Sequence, residues 1–281
     1  MTSEVAIVHF DENNAESLKQ AIDLIGGIDD LNTAMRSVVV KVGVFSHKAQ
    51  NHTSVSVVDA IISSFDKALK IFLAESDNYR GKGSERLQIW KELFTDRVMP
   101  FNLSDDTDTR ETRLADREMK LSHILFKPNV LVDTHILRSG DRGSILKNLF
   151  GCLPTSKKAK FHKMEIFCPL LADIYEAIGG IDLAVLDGTY FWHGAGDTPV
   201  RMNILLVGRD AVAVETVGAV LAGLKPEKMP VIQEFVRRGL GEGDLGRIEI
   251  LGTSFESLKK KFASAAKTQK KLRAQRKVPQ T

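Results

Sequence analysis

Short apolar runs alternate with helical patterns along the chain, and this alternation is the feature that most constrains the fold. Strands are predicted at residues 5–10, 38–45, 71–75, 97–102, 130–135, 183–187, 202–207 and 248–251. Between them, apolar side chains recur at helical spacing, as at Val57, Ile61 and Phe65. Strands that alternate with helices predict an α/β fold with a mainly parallel or mixed central sheet flanked by helices.

Three of the predicted strands contain continuous apolar runs, at 38–40, 183–186 and 204–207. Such runs are typical of strands covered on both faces, as in the centre of a parallel sheet. The helix after Asp210 is apolar almost all round, so we expect it to be buried between other elements. We expect a single α/β domain over residues 1–258. The polar segment 104–127 is predicted to be an excursion from this domain that can form a hairpin.

Basic residues are concentrated near the C-terminus. The net charge is +3, and nine Lys or Arg without an acidic residue lie within 259–277, so the remainder carries −6. We expect a basic helical tail at 259–281 that is partly disordered beyond Ala266. Such a tail can bind nucleic acid or an acidic protein, or it can be only a solvated helical face.

The two cysteines, Cys152 and Cys168, are too few and too far apart for an iron–sulfur cluster or a zinc site, and we expect both to be buried thiols. No apolar stretch approaches the roughly 20 residues that cross a bilayer, so no membrane association is expected. No secretory leader pattern precedes the first strand, which favours a cytoplasmic protein without disulfides.

Polar residues follow the apolar runs of four predicted strands, near the ends where ligands collect in open α/β sheets. Lys41 interrupts one apolar run, and His135 closes another. Asp187 closes a third, before a glycine-rich loop at 188–197 that includes a histidine and an aspartate. Asp210 follows the fourth and begins the apolar helix. These positions are the candidates for a polar site.

Each candidate also has a purely structural interpretation. Lys41 can pair within the fold, and His135 can be a core histidine with its hydrogen bonds satisfied. Asp187 can hold an Asp-Gly turn, and Asp210 can be a helix N-cap. Glu215, inside the apolar helix, needs a partner if it is buried. The sequence has no P-loop, dinucleotide-binding glycine pattern or zinc-protease helix motif.

Several short motifs occur in a characteristic order. They are Lys41 at the end of the first buried run, Thr134-His135, Lys147-Asn148-Leu149-Phe150-Gly151, the lysines of 157–160 with His162, Asp187-Gly188, Asp210-Ala211-Val212-Ala213-Val214-Glu215, Gly239-Leu240-Gly241-Glu242 and Ile250-Leu251-Gly252. This succession, over roughly residues 15–253, resembles the family known as domain of unknown function 362 (DUF362). The resemblance implies a polar site at the matching positions.

The chain departs from the family pattern at three places. Val42-Gly43 stands where relatives often carry Pro-Asn, Asp133 where they carry lysine, and Glu215 where they carry aspartate. Many relatives also carry a ferredoxin-like cluster domain, which links the family with redox processes. With two cysteines, this chain is expected to have no intrinsic iron–sulfur cluster. Its cofactors are otherwise open.

The first functional hypothesis is a cleft for a small anionic ligand or a metal, in an enzyme that the resemblance connects with redox metabolism. Lys41, Lys147, Asn148 and Asp210 would hold the ligand, while His135, His162 and Asp187 would transfer protons or bind a metal. This requires His135, Lys147 and Asp187 to face one cavity. The alternative is a non-catalytic accessory protein that binds RNA, the ribosome or an acidic protein through residues 259–277.

Overall fold

The computed structural model describes residues 2–10, 16–45, 51–192 and 199–276. Its strands and helices, in chain order, are β1 (Ser3–His9), α1 (Glu16–Leu24), β2 (Val38–Val42), α2 (Val55–Ser64), β3 (Ile71–Glu75), α3 (Gly83–Leu87), β4 (Val98–Asn102), β5 (Thr109–Leu114), β6 (Arg117–Ser122), β7 (Val130–Arg138), α4 (Ile145–Asn148), α5 (Met164–Ile178), β8 (Leu183–Trp192), β9 (Val200–Gly208), α6 (Ala211–Leu221), α7 (Pro230–Arg237), β10 (Ile248–Gly252) and α8 (Phe255–Arg276). All eight predicted strands are present. The predicted α/β class is therefore confirmed.

The central sheet has eight strands in the order β10-β1-β9-β8-β7-β2-β3-β4. Neighbouring strands are parallel except at β9, which is antiparallel to both β1 and β8. The expectation of a parallel central strand at 204–207 is thus wrong in direction, although the run is buried. Because β9 runs the opposite way, its carboxyl end lies at the edge of the sheet where β7 and β8 begin.

Two hydrophobic cores lie on opposite faces of the sheet. One contains the apolar sides of α1 and α2, and the other contains those of α5, α6 and α7. Successive strand side chains point to opposite faces, so Val40 and Val42 belong to the first core while Val39 belongs to the second. By the same alternation, Lys41 points to the same face of the sheet as Val39.

Two elements extend this unit. The predicted excursion contains a hairpin, since β5 and β6 form a separate two-stranded antiparallel sheet. The helix α8 continues to Arg276, beyond the point near Ala266 where we expected order to end, and Phe262, Ala265 and Gln269 on it are buried. Residues 277–281 lie outside the described part of the chain. Among the described helices, none is both long and apolar enough to cross a bilayer.

Candidate functional site

A cavity of about 610 Å³ opens at the edge of the sheet where β2, β3 and β7 end. Its wall is rich in positive charge and aromatic rings. The lining residues are Val44, Phe45, Glu75, Asn78, Tyr79, Arg86, His135, Arg138, Arg142, Lys147, Asn148, Phe150, Gly151, Ser156, Lys158, Ala159, His162 and Phe167. Five of them are arginine or lysine, whereas Glu75 is the one carboxylate in the set.

Lys41 lies beneath the cavity wall and is completely buried. Its Nζ donates hydrogen bonds to Glu75 Oε2 at 2.9 Å, Asn148 Oδ1 at 3.1 Å and the Val42 carbonyl oxygen at 3.1 Å. An ammonium has three hydrogens, so each of them has an acceptor. Lys41 therefore supports two lining residues, Glu75 and Asn148, and has no donor left for a ligand.

Asn148 connects β2 and β7 at this point. Its Oδ1 accepts from Lys41, while its Nδ2 donates to the Lys41 carbonyl oxygen at 3.0 Å and to Asp133 Oδ1 at 3.1 Å. Burial raises the pKa of Asp133 to about 8, although the nearby Lys41 charge opposes the shift. Within the described residues, Asp133 Oδ2 has no hydrogen-bond partner. Asp133 was not among the predicted site residues, although a polar residue inside a buried strand was a usable signal.

Glu215 provides the support for α4. Its carboxylate accepts from the backbone N–H of Ser144 at 2.8 Å and of Leu146 at 3.0 Å. Gly143, with a φ of +82°, brings the chain against this carboxylate, where a Cβ atom would lie 3.0 Å from Glu215 Cδ. The partner that a buried carboxylate requires is thus backbone, and this contact fixes the helix that presents Lys147 to the cavity.

Two lysines of the cavity wall have weakened basicity. Burial and, to a lesser extent, the positive charges of Arg138 and Arg142 lower the pKa of Lys147 to about 8. Burial also lowers the pKa of Lys158 to about 8, with Glu75 opposing the shift. Lys158 Nζ donates to Ser76 Oγ at 2.7 Å, which holds it in place. The crowding of positive charge is an electrostatic cost that a bound anion would reduce.

The two histidines of the wall differ in surroundings. His135 Nδ1 lies 2.8 Å from the Ile136 carbonyl oxygen, which can only accept, so Nδ1 carries the proton. Burial and the charge of Arg138 hold the pKa of His135 well below its usual range, so the ring is neutral at pH 7 and Nε2 is an acceptor. His162 packs against Phe150, with ring centroids 5.3 Å apart, and burial lowers its pKa.

Asp187 lies on the other face of the sheet. It pairs with Ile136 of β7, and paired residues point to the same side, so Asp187 and His135 point to opposite sides. Asp187 Oδ2 accepts from the backbone N–H and the hydroxyl of Ser54, both at 2.8 Å, and Oδ1 accepts from the Thr189 N–H at 2.8 Å. The expectation that His135, Lys147 and Asp187 face one cavity is therefore wrong for Asp187, whose contacts are those of a structural residue.

Asp210 lies at the opposite edge of the sheet, because it follows the antiparallel β9. It is the N-cap of α6, where Oδ1 accepts from the N–H groups of Val212 and Ala213 at 2.9 and 3.0 Å. Its Oδ2 accepts from Ser3 Oγ and the Glu242 N–H.

The structure thus groups His135, Lys147, Asn148 and His162 around the cavity with Lys41 beneath it, and places Asp187 and Asp210 elsewhere. The polar residues at 193–197 lie outside the described residues.

Metal-ligating side chains are scattered in the described part of the chain, where no three of His, Cys, Asp or Glu come together in a group that could hold an ion. Cys152 and Cys168 are both buried and free, and burial raises the pKa of the Cys152 thiol to about 12.

Sequence reasoning missed the arginines of the wall, Arg86, Arg138 and Arg142. Arg138 had a usable signal, since it ends the same strand as His135.

A family model described as a domain of unknown function, DUF362, matches residues 38–220, more than half of the chain. The matched range includes Lys41, His135, Lys147, Asn148 and Glu215, so the cavity and its supports lie within it. No curated protein matches the chain.

Proposed function

The chain belongs to the DUF362 family, and from that premise we propose that its cationic cavity binds a small anionic ligand, for which a phosphate group is the best chemical match. The observation that carries the proposal is the imbalance of charge in the cavity wall. Five arginines and lysines line it, and the one lining carboxylate, Glu75, already accepts from Lys41 and lies 3.6 Å from Arg86. The remaining positive charge has no matching acid in the wall.

Phosphate suits this wall because guanidinium groups bind its oxygens in pairs and ammonium groups add point charges. Arg142 and Lys147 are the side chains best placed for the contact, since Arg86 donates to the carbonyl oxygens of Val44 and Ser76. Arg142 makes one long hydrogen bond, of 3.5 Å to the His162 carbonyl oxygen. Arg138 donates to Asn51 Oδ1 at 2.9 Å, so part of its guanidinium is also committed. His135 contributes a neutral imidazole whose Nε2 can accept a hydrogen bond from a hydroxyl group of a bound ligand.

Isothermal titration of the protein with inorganic phosphate tests the proposal. Lys147→Gln should weaken binding about ten-fold or more, because a hydrogen bond to a charged group contributes roughly 1.5–3 kcal/mol. Lys70→Gln is the matched control, because it removes the same charge at an exposed position. Lys70 lies directly before β3, at the end of that strand away from the cavity. Absence of phosphate binding at millimolar concentration, or equal binding by Lys147→Gln and the parent, would contradict the proposal.

A second candidate function rests on α8. Leu258, Phe262, Ala265 and Gln269 are buried on one side of this helix. At 100° per residue, Lys260, Lys267 and Lys271 project from the opposite side, and all three are exposed. We call these three residues the lysine stripe. A stripe of this kind supports the hypothesis that the helix binds an acidic partner such as RNA.

The test is binding of a single-stranded RNA at several salt concentrations, since neutralisation of phosphates makes the affinity fall steeply with salt. Replacement of the lysine stripe by glutamine should abolish binding, whereas replacement of the exposed Lys19, Lys70 and Lys91 by glutamine should not. Removal of everything after Phe262 would be a poorer test, because it also removes Gln269, which donates to the Phe191 carbonyl oxygen at 3.1 Å. Equal affinity of the two triple variants would exclude this function.

A further inference from the structure

Two aromatic side chains stand exposed at the mouth of the cavity. Tyr79 is 71% exposed and Phe45 is 40% exposed. Their ring centroids are 6.5 Å apart, with the rings inclined at 63°. The guanidinium of Arg80, also exposed, lies 4.5 Å from the centroid of Phe45 and 5.2 Å from that of Tyr79. We call Phe45, Tyr79 and Arg80 the aromatic rim.

The aromatic rim is continuous with the cationic wall. Phe45 and Tyr79 line the same cavity as Lys158 and Asn148, which are buried. The cavity therefore has an open, aromatic mouth and an enclosed, positively charged base. Large exposed aromatic surface beside a pocket marks a place where a ligand makes contact.

The mouth of the cavity is aromatic and its base is positively charged. A ligand that contacts both would have a planar aromatic part and an anionic part. A planar ring can stack on the exposed ring of Tyr79 and on the guanidinium plane of Arg80. A phosphate can be bound by Arg142 and Lys147 in the wall. A volume of about 610 Å³ is within the range of small-molecule sites, so the cavity can accept more than a phosphate ion.

We propose that the ligand is a nucleoside phosphate, whose aromatic base stacks on the aromatic rim while its phosphate binds the cationic wall. The inference rests on the proposed function, because it assumes that the wall binds an anion. The sequence has no glycine-rich phosphate loop. Arginine and lysine side chains would hold the phosphate here in place of the backbone N–H groups that such loops supply.

The experiment compares the affinities of adenosine 5′-monophosphate, ribose 5-phosphate, inorganic phosphate and adenosine for the full chain. The base should make adenosine 5′-monophosphate bind about five-fold or more tighter than ribose 5-phosphate, the effect of a single stacking contact. Tyr79→Ala should remove this advantage and leave the affinity for ribose 5-phosphate unchanged. Tyr79→Phe should retain it, since the ring is kept. The exposure of Tyr79 means that both variants should fold.

The outcomes separate the two proposals. Equal affinity for adenosine 5′-monophosphate and ribose 5-phosphate would overturn the nucleoside inference and leave anion binding intact. An equal loss of both ligands in Tyr79→Ala would overturn it as well. Failure of ribose 5-phosphate and inorganic phosphate to bind would contradict the proposed function itself, and adenosine binding as tightly as its monophosphate would show that the wall does not bind the phosphate.

Discussion

The backbone of Gly151 lies directly against the Lys41 ammonium, so that a Cβ atom at position 151 would overlap Lys41 Nζ. The same Cβ would lie 2.8 Å from Glu75 Oε1. Glycine at 151 therefore gives the buried Lys41–Glu75 ion pair the space that it occupies. The loop after α4 and the charges beneath the cavity wall are coupled through this contact.

Gly151→Ala should destabilise the fold by about 1–3 kcal/mol, the usual cost of overfilling a packed site. Lys41 is completely buried, so it cannot move aside without lengthening its bond to Glu75. Urea denaturation measures the effect. Gly140→Ala is the control, because a Cβ there meets no atom within 4 Å. Equal stability of the two variants would mean that the ion pair has room to move.

Lys41→Met should lower the free energy of unfolding by about 3–5 kcal/mol, because removal of one partner leaves the buried Glu75 carboxylate without its main partner. Adding Glu75→Gln to Lys41→Met should restore part of the loss, since the uncompensated charge is then removed. A double-mutant cycle in urea gives the coupling between the two positions. Additive effects of the two substitutions would contradict the assignment of Lys41 as the partner of Glu75.

Glu215→Ala should destabilise the fold by about 1–3 kcal/mol, because the N–H groups of Ser144 and Leu146 lose their acceptor in a buried site. The loss of support at α4 should also weaken phosphate binding through Lys147. Thr216→Val is the neighbouring control. Thr216 Oγ1 is buried without a hydrogen-bond partner among the described residues, so this change should be neutral or stabilising. Comparable melting temperatures for both variants would show that Glu215 does not stabilise α4.

Anion binding should take up protons near pH 8. The pKa values of Lys147 and Lys158 are lowered to about 8, so both amines are partly neutral there, and a bound anion favours their charged forms. Affinity should accordingly fall as the pH rises through about 8. Calorimetry with sulfate in buffers of different ionisation enthalpy measures the uptake, since sulfate itself does not titrate in this range.

The matched variant for this measurement is Lys147→Arg, which keeps the positive charge but does not titrate near pH 8. It should bind sulfate with a smaller proton uptake than the parent. An unchanged proton uptake in Lys147→Arg would show that Lys147 is not a site of proton uptake. Proton release on sulfate binding would contradict the predicted direction of proton transfer.

The sequence by itself determined the class of fold and the position of every strand of the central sheet, because apolar periodicity reports burial directly. It also showed that Lys41 and Glu215 needed partners, since a charged group inside an apolar segment is costly when unpaired. The family resemblance singled out Asn148, whose network with Lys41 and Asp133 the structure then revealed.

The direction of β9 was not determined in this way, because an apolar run looks the same in a parallel and an antiparallel strand. The predicted strands 183–187 and 202–207 left enough chain between them for a crossover. In the structure β8 extends to Trp192 and β9 begins at Val200, and the short connection that remains joins antiparallel neighbours. The position of Asp210 at the far edge follows from that direction.

Only the tertiary structure decided which polar residues share a cavity. Asp187 and His135 lie on neighbouring strands, yet the register pairs Asp187 with Ile136, and a shift of one residue exchanges the two faces of a strand. Arg142, Lys158 and Tyr79 come from loops and short helical turns, whose positions depend on packing against the whole sheet. Local periodicity records how each segment is buried, whereas convergence on one cavity depends on register and on loop paths between distant segments.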